Sequence, residues 1–184
     1  VEIARNFGVP LTVRSSLNNK EGTKVRGTVS MERAIVRGIT LDNDIAKISI
    51  LEVPDRPGIA YNIFSRLCGN DIGIDMIIQN VHRDAVNDIS FSIKNQDLDR
   101  ALQITKDVCK KIGAKNVTFD DNVVKLSIVG TGVMGDPSVI TAFFETIYDL
   151  GINIEMISTS EIKISCIINS NKSVEAVNKL HDKF

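Results

Sequence analysis

Tryptophan is absent, and aromatic residues make up only 5% of the 184 positions. Base-stacking RNA platforms need aromatics exposed on central strands. Phe91 and Phe119 are the only aromatics in the strand candidates, which argues against that use. The two histidines, His82 and His181, stand alone near the expected ends of a hairpin and a helix and read as surface positions. Cys68, Cys109 and Cys166 are odd in number, far apart and set in apolar patterns. They match no zinc or redox spacing and read as buried thiols in a reducing cytosol. No nucleophile–base pair or metal cluster stands out. The net charge of -1 offers no electrostatic case for nucleic acid or an acidic membrane. No apolar run approaches the ~20 residues of a membrane span. The first residues lack the basic region and apolar block of a signal peptide, so the expected location is cytoplasmic. There is no starting methionine, and the chain reads as a piece of something longer.

What is present is periodicity. With 43% hydrophobic residues, the chain is long enough for one large or two small cores. Residues 1–9 resemble the end of a helix docked elsewhere, 11–14 a short strand, and 15–34 a polar linker broken by Asn18, Asn19, Gly22 and Gly27. Residues 34–41 form a strand candidate. From residue 46 the pattern alternates: strand 46–53, a helix from Pro57 with apolar positions 59, 60, 63, 64, 67 and 68, and strand 72–81. A hairpin turn at 82–87, strand 88–93, a helix ended by Gly113 and strand 116–120 complete a β-α-β-β-α-β order.

That order then repeats. Lys125-Leu126-Ser127-Ile128-Val129 echoes Lys47-Ile48-Ser49-Ile50, and Ile154-Glu155-Met156-Ile157 echoes Ile74-Asp75-Met76-Ile77. Helix positions 139, 140, 143, 144, 147 and 148 are the earlier stripe displaced by 80. The second copy ends after its second helix, without a fourth strand. An open half-sheet is an aggregation hazard, so residues 34–41 are predicted to complete it. The fold class is therefore α+β: two ferredoxin-like βαββαβ units with antiparallel sheets and helices on one face, the first inserted into the second. The expected boundaries are 1–33, 46–121, and 34–45 with 122–184.

The corner Asp55-Arg56-Pro57-Gly58-Ile59-Ala60 carries the main chemical signal. At its plainest it is a turn that opens a helix, with Pro57 suited to the first helical position. A helix N-terminus also holds a carboxylate well. Gly58 permits close approach, and Asp55 suits an ammonium. Gln79 and Asn80 end an apolar strand, where amides are disfavoured; they read either as a hairpin entry or as groups that recognise a polar ligand. Asn153 and Ser158-Thr159-Ser160-Glu161 hold comparable places in the second copy, and Glu161 suits a cationic side chain. Gly130-Thr131-Gly132-Val133-Met134-Gly135 is not a phosphate loop, because no Gly-Lys-Ser/Thr follows.

Pro57-Gly58-Ile59-Ala60, Met76-Ile77-Ile78-Gln79-Asn80 and the run from Asn153 through Ile154 to Ser165 resemble the tandem ACT domains of aspartokinase. Residues 9–16 resemble the end of that enzyme's amino-acid kinase domain, and Gly22-Thr23 and residues 35–39 the join that follows. The resemblance implies a regulatory region of an enzyme that makes 4-phospho-L-aspartate from ATP and L-aspartate. The catalytic domain, with its ATP and Mg, is not in this sequence, so no cofactor and no catalytic residue are expected here. It further implies lysine, threonine or both as effector, bound where ACT units meet in a homodimer. Asp55, Gly58, Ala60 and Gln79 would surround one amino acid, and Asn153 and Ile154 would close it from the other subunit. Ser160 and Glu161 would serve a lysine counterpart. In the second corner, Asp136-Pro137-Ser138 replaces the family's Pro-Gly, and the Ser138 side chain takes room that glycine would leave. A free-standing ACT-repeat binding or oligomerisation subunit is the alternative.

Overall fold

The computed structural model describes residues 4, 9–18, 20–25, 36–81, 86–131, 133 and 135–184. The chain divides into two compact units, Val1–Ala34 and Ile35–Phe184. In the first unit, β1 (Leu11–Val13) pairs antiparallel with β2 (Thr23–Val25). The linker reading missed β2, which has three residues and no alternation strong enough to mark it. The helix expected over 1–9 falls largely outside the described residues.

The second unit begins with β3 (Gly38–Asp42) and β4 (Ala46–Pro54), followed by α1 (Ile59–Cys68), β5 (Ile74–Val81) and β6 (Val86–Ile93). Next come α2 (Leu98–Ile112), β7 (Asn116–Asp120) and β8 (Val123–Val129). The unit ends with α3 (Pro137–Asp149), β9 (Ile154–Ser160), β10 (Lys163–Asn169) and α4 (Ser173–Lys183). One sheet has the order β5-β6-β4-β7 and the other β3-β8-β10-β9. Both are antiparallel throughout. The strand that precedes the first copy therefore completes the sheet of the second, and the first copy is inserted into it. Matching serine pairs sit in the two ladders: the Ser49 and Ser90 hydroxyls are 2.8 Å apart, as are those of Ser127 and Ser165.

Strand parity separates three cores. In β10, Ile164, Cys166 and Ile168 pack with Phe143 and Ile147 of α3 and Leu180 of α4. Ile48, Ile50, Phe91, Ile63 and Val108 build the equivalent core of the first copy. Residues of the opposite parity, Val123 and Ile167, join Ile45, Met76 and Met156 in a third cluster between the two sheets. Met76 and Met156 are the repeat partners already visible in the sequence. Two ion pairs flank this contact with the same symmetry: Lys47 with Glu155, and Lys125 with Asp75.

Three expectations need correction. Gly58 is the N-cap and α1 starts at Ile59, so Pro57 stands before the helix and not at its first position. Ala60 and Cys68 are exposed although they lie in the apolar stripe of α1, because Ile63 and Leu67 with half-buried Ile59 and Phe64 already fill the core-facing arc. The third strand begins at Val86, not Asp88. A bulge in β4 carries its pairing past Ile50, so that Val53 faces Asn87 and Pro54 faces Val86. His82 lies outside the described residues.

Candidate effector site at the first strand–helix corner

The corner is made by the end of β4 and the start of α1. The β4 bulge includes Glu52 at φ 52, a left-handed conformation uncommon outside glycine. Its amide donates to Asp88 Oδ1 at 2.9 Å, and its carboxylate pairs with Lys115. Beyond the bulge the chain turns at Asp55, whose Oδ1 accepts from Asn87 Nδ2 at 3.0 Å. Asn87 is buried, whereas Asp55, Arg56, Pro57 and Gly58 are exposed.

Gly58 occupies the N-cap position of α1 at φ 89, ψ -6, and among the described residues no side chain caps the helix. A Cβ built there meets nothing within 4 Å, so the positive φ, not crowding, is what calls for glycine. Uncapped first-turn amides at the positive end of a helix, beside an exposed carboxylate, suit the carboxylate and ammonium of one zwitterion.

The second corner differs in a way that size alone does not explain. Asp136 is the N-cap of α3, and its Oδ1 accepts from the Ser138 amide at 2.9 Å. Hydrogen bonds from the Ser138 side chain and then its backbone hold the Asp136 carboxyl below its ordinary value. The helix start is thus already served by a carboxylate of its own. The sequence reading placed the obstacle in the Ser138 Cβ; Asp136 adds a second one.

Sheet register places Gln79 and Asn80 at the same end of the first sheet as the corner. Asn80 pairs with Asp88 and Val81 with Asn87, which on its other side faces Val53. Both amides lie on edge strand β5 and are exposed. Asn153 and Ile154 stand at the start of edge strand β9, while Ser160 ends that strand and Glu161 follows it, exposed. Six residue steps separate Ile154 from Ser160, roughly 20 Å, so these two groups cannot contact one amino acid together. Asn153 lines a cavity of about 390 Å³ with Glu155, Asn169 and Lys172. Its repeat counterpart Gly73 lines another of about 310 Å³ with Asp42, Asp75, Lys94 and Lys125. Among the described residues no cluster of acidic, cysteine or histidine side chains forms a metal site. No helix among them is long and apolar enough to cross a membrane.

Asn87 is the residue that sequence reasoning missed, since it was assigned to the turn. Its signal was an asparagine beside Asp88-Ile89-Ser90-Phe91, in the same disfavoured setting that drew notice to Asn80. The interlobe ion pairs were also missed, although Lys47 and Lys125, like Asp75 and Glu155, occupy repeat-equivalent positions.

The ACT domain family model matches residues 51–108 and 126–184, and the chain belongs to that family. Within it, the similarity is to the regulatory region of aspartokinases. The aspartokinase of Corynebacterium efficiens is 40% identical over 189 aligned positions, which take in 100% of this chain and 45% of that protein. The chain therefore spans about half the length of the curated relatives it matches. The ligand-free regulatory subunit of aspartate kinase from Thermus thermophilus superimposes with a TM-score of 0.78 at 36% identity, covering 82% of this chain and 99% of that one. A structure of aspartokinase alpha and beta subunits gives a TM-score of 0.76 at 40% identity, covering 81% and 98%.

Proposed function

We propose that this chain senses an end-product amino acid, lysine or threonine or both, on behalf of an aspartokinase catalytic domain or subunit. The observation that carries this reading is the uncapped N-terminus of α1, with Gly58 in the left-handed region and Asp55 beside it. The ligand carboxylate sits on the first-turn amides around Ile59 and Ala60, and the ammonium meets Asp55. Gln79 and Asn80 recognise polar atoms of the side chain. Asn153 and Ile154 of a second copy close the site, so the working assembly is a cytoplasmic homodimer joined through its ACT units. Ser160 and Glu161 are reserved for a lysine counterpart. Ligand-bound and free forms bias the attached kinase differently only if the effector binds them with unequal affinity. The consequence is feedback inhibition of aspartate phosphorylation, whose ATP and Mg belong to the catalytic domain.

Calorimetry with lysine, threonine, methionine and a lysine–threonine mixture tests the reading. Saturable heat with lysine or threonine supports it; no heat with any of the four refutes it for this chain. A second reading, that the chain works as a separate regulatory subunit, is favoured by its near-complete coverage of such subunits. An upstream kinase domain in the same reading frame, with no internal start, would decide against it.

A further inference from the structure

The buried floor of the first corner contains a polar group that packing does not explain. Asn87 is 2% exposed, and its Oδ1 has no hydrogen-bond partner among the described residues. Leaving a carbonyl oxygen dry and unpaired costs free energy that an apolar residue of similar shape would avoid. The other end of the same amide is used: Nδ2 donates to Asp55 Oδ1 at 3.0 Å. The β4 bulge, with its left-handed Glu52, is what brings Val53 opposite Asn87 and so delivers Asp55 above it. A strained backbone residue and an unpaired buried oxygen meet within one small corner, and what both secure is the placement of a single exposed carboxylate.

The second copy is an internal control. Ser165 pairs with Ser127 as Ser90 pairs with Ser49, so by count the counterpart of Asn87 is Ile162, which lies in the exposed hairpin turn before β10. No bulge interrupts the pairing of β8 with β10. The carboxylate of that corner, Asp136, is turned onto its own helix. Among the described residues, the amide–carboxylate pair is found at the corner whose helix lacks a side-chain cap.

We propose that Asn87 is a positioning residue. It holds Asp55 in the orientation that receives the ammonium of the bound amino acid, and it acts through Asp55 without touching the ligand. This rests on the effector reading above.

The test compares Asn87→Val with Asn87→Thr in the full chain. Both are β-branched, suit a strand, and differ only in the hydroxyl able to donate to Asp55. Affinity for L-threonine and L-lysine is read by calorimetry, and folding by thermal melting. The Val variant is expected to melt no lower than the parent, because the unpaired oxygen is gone, yet to bind the effector roughly tenfold more weakly. The Thr variant is expected to regain most of that loss. Asp55→Ala is expected to weaken binding, and adding Asn87→Val to it to weaken binding no further. Equal affinity of the Val variant and the parent overturns the proposal while leaving the effector reading intact, as do additive losses in the double variant. A Val variant that melts lower, with Thr no better at binding, makes Asn87 a structural residue only. If the parent binds neither amino acid, the effector reading fails and this proposal fails with it.

Discussion

Gly58→Asp separates what the first corner does for folding from what it does for a ligand. A Cβ at Gly58 meets nothing within 4 Å, so the folding penalty is confined to the backbone at φ 89. A left-handed residue with a side chain costs roughly 1–2 kcal/mol, least for Asp and Asn. For a chain of this size that lowers the melting temperature by about 2–8 °C. The effect on binding is of another kind. The new carboxylate sits at the helix start and repels an incoming carboxylate. Loss of one charge-assisted hydrogen bond is worth about 1.5–3 kcal/mol, so affinity falls roughly tenfold to a hundredfold. Gly58→Asn shares the backbone cost without the charge, and the gap between the two variants measures electrostatic exclusion. Calorimetry with threonine and lysine, beside thermal melts, reads both quantities. A Gly58→Asp variant that binds within twofold of the parent would refute the placement of the ligand carboxylate at α1.

The second corner makes the converse prediction. Combining Asp136→Gly with Ser138→Gly removes the internal cap and should raise the stoichiometry above that of the parent; an unchanged stoichiometry would show that self-capping is not what closes this corner. Asp136 also carries a pH signature. Its folded-state carboxyl is held low by Ser138, so the stability it adds is present above the unfolded carboxylate value and is lost as pH falls through the lowered folded value. Asp136→Ala should accordingly melt below the parent at neutral pH, with the gap closing in acid. Among the thiols, burial pushes Cys109 up to about 11 and Cys166 up to about 12, while Cys68 is exposed. A disulfide reagent at pH 8 should therefore titrate one thiol per folded chain and three after unfolding; rapid modification of three in the native state would contradict the packing of α2 and β10.

The architecture was legible because its signals repeat. Val139, Phe143 and Ile147 pack inward at the positions their period marks, as do Ile63 and Leu67 eighty residues or so before them. The missing last strand of the second copy pointed to the strand before the first, and β3 pairs with β8 as that reading requires. What stayed hidden was local geometry without a periodic signature. A one-residue change of register at the β4 bulge moves Asn87 from turn to strand and from surface to interior, and no propensity of Leu51 or Glu52 announces it. The Asp136 cap could have been read from Asp136-Pro137-Ser138, a strong helix-start signal, but its consequence for a ligand emerges only against the bare N-cap at Gly58. That Gln79 lies at the same sheet end as Asp55 was traceable to the strand order.

Duplication explains why the two corners diverged without loss of the fold. Each sheet needs its serine pair, its methionine between the sheets and its cross-lobe ion pair, because these lie in the interior or at the contact both copies share. The corners are exposed at the ends of β4 and β8, and the cores do not depend on which group satisfies the first amides of the following helix. A helix start needs an anionic or polar partner in either copy. In the second copy the chain supplies that partner itself; in the first it leaves the place open. The first copy further directs a buried amide at the neighbouring carboxylate. An open cap and an unpaired buried oxygen both subtract from the stability of the free chain, and on the effector reading proposed above the open cap is offset when a ligand carboxylate occupies the corner. Ligand binding and local stability are then linked at this corner, and the amides of Ala60 and Tyr61 should gain more protection from hydrogen exchange on effector binding than those of Ile140 and Thr141.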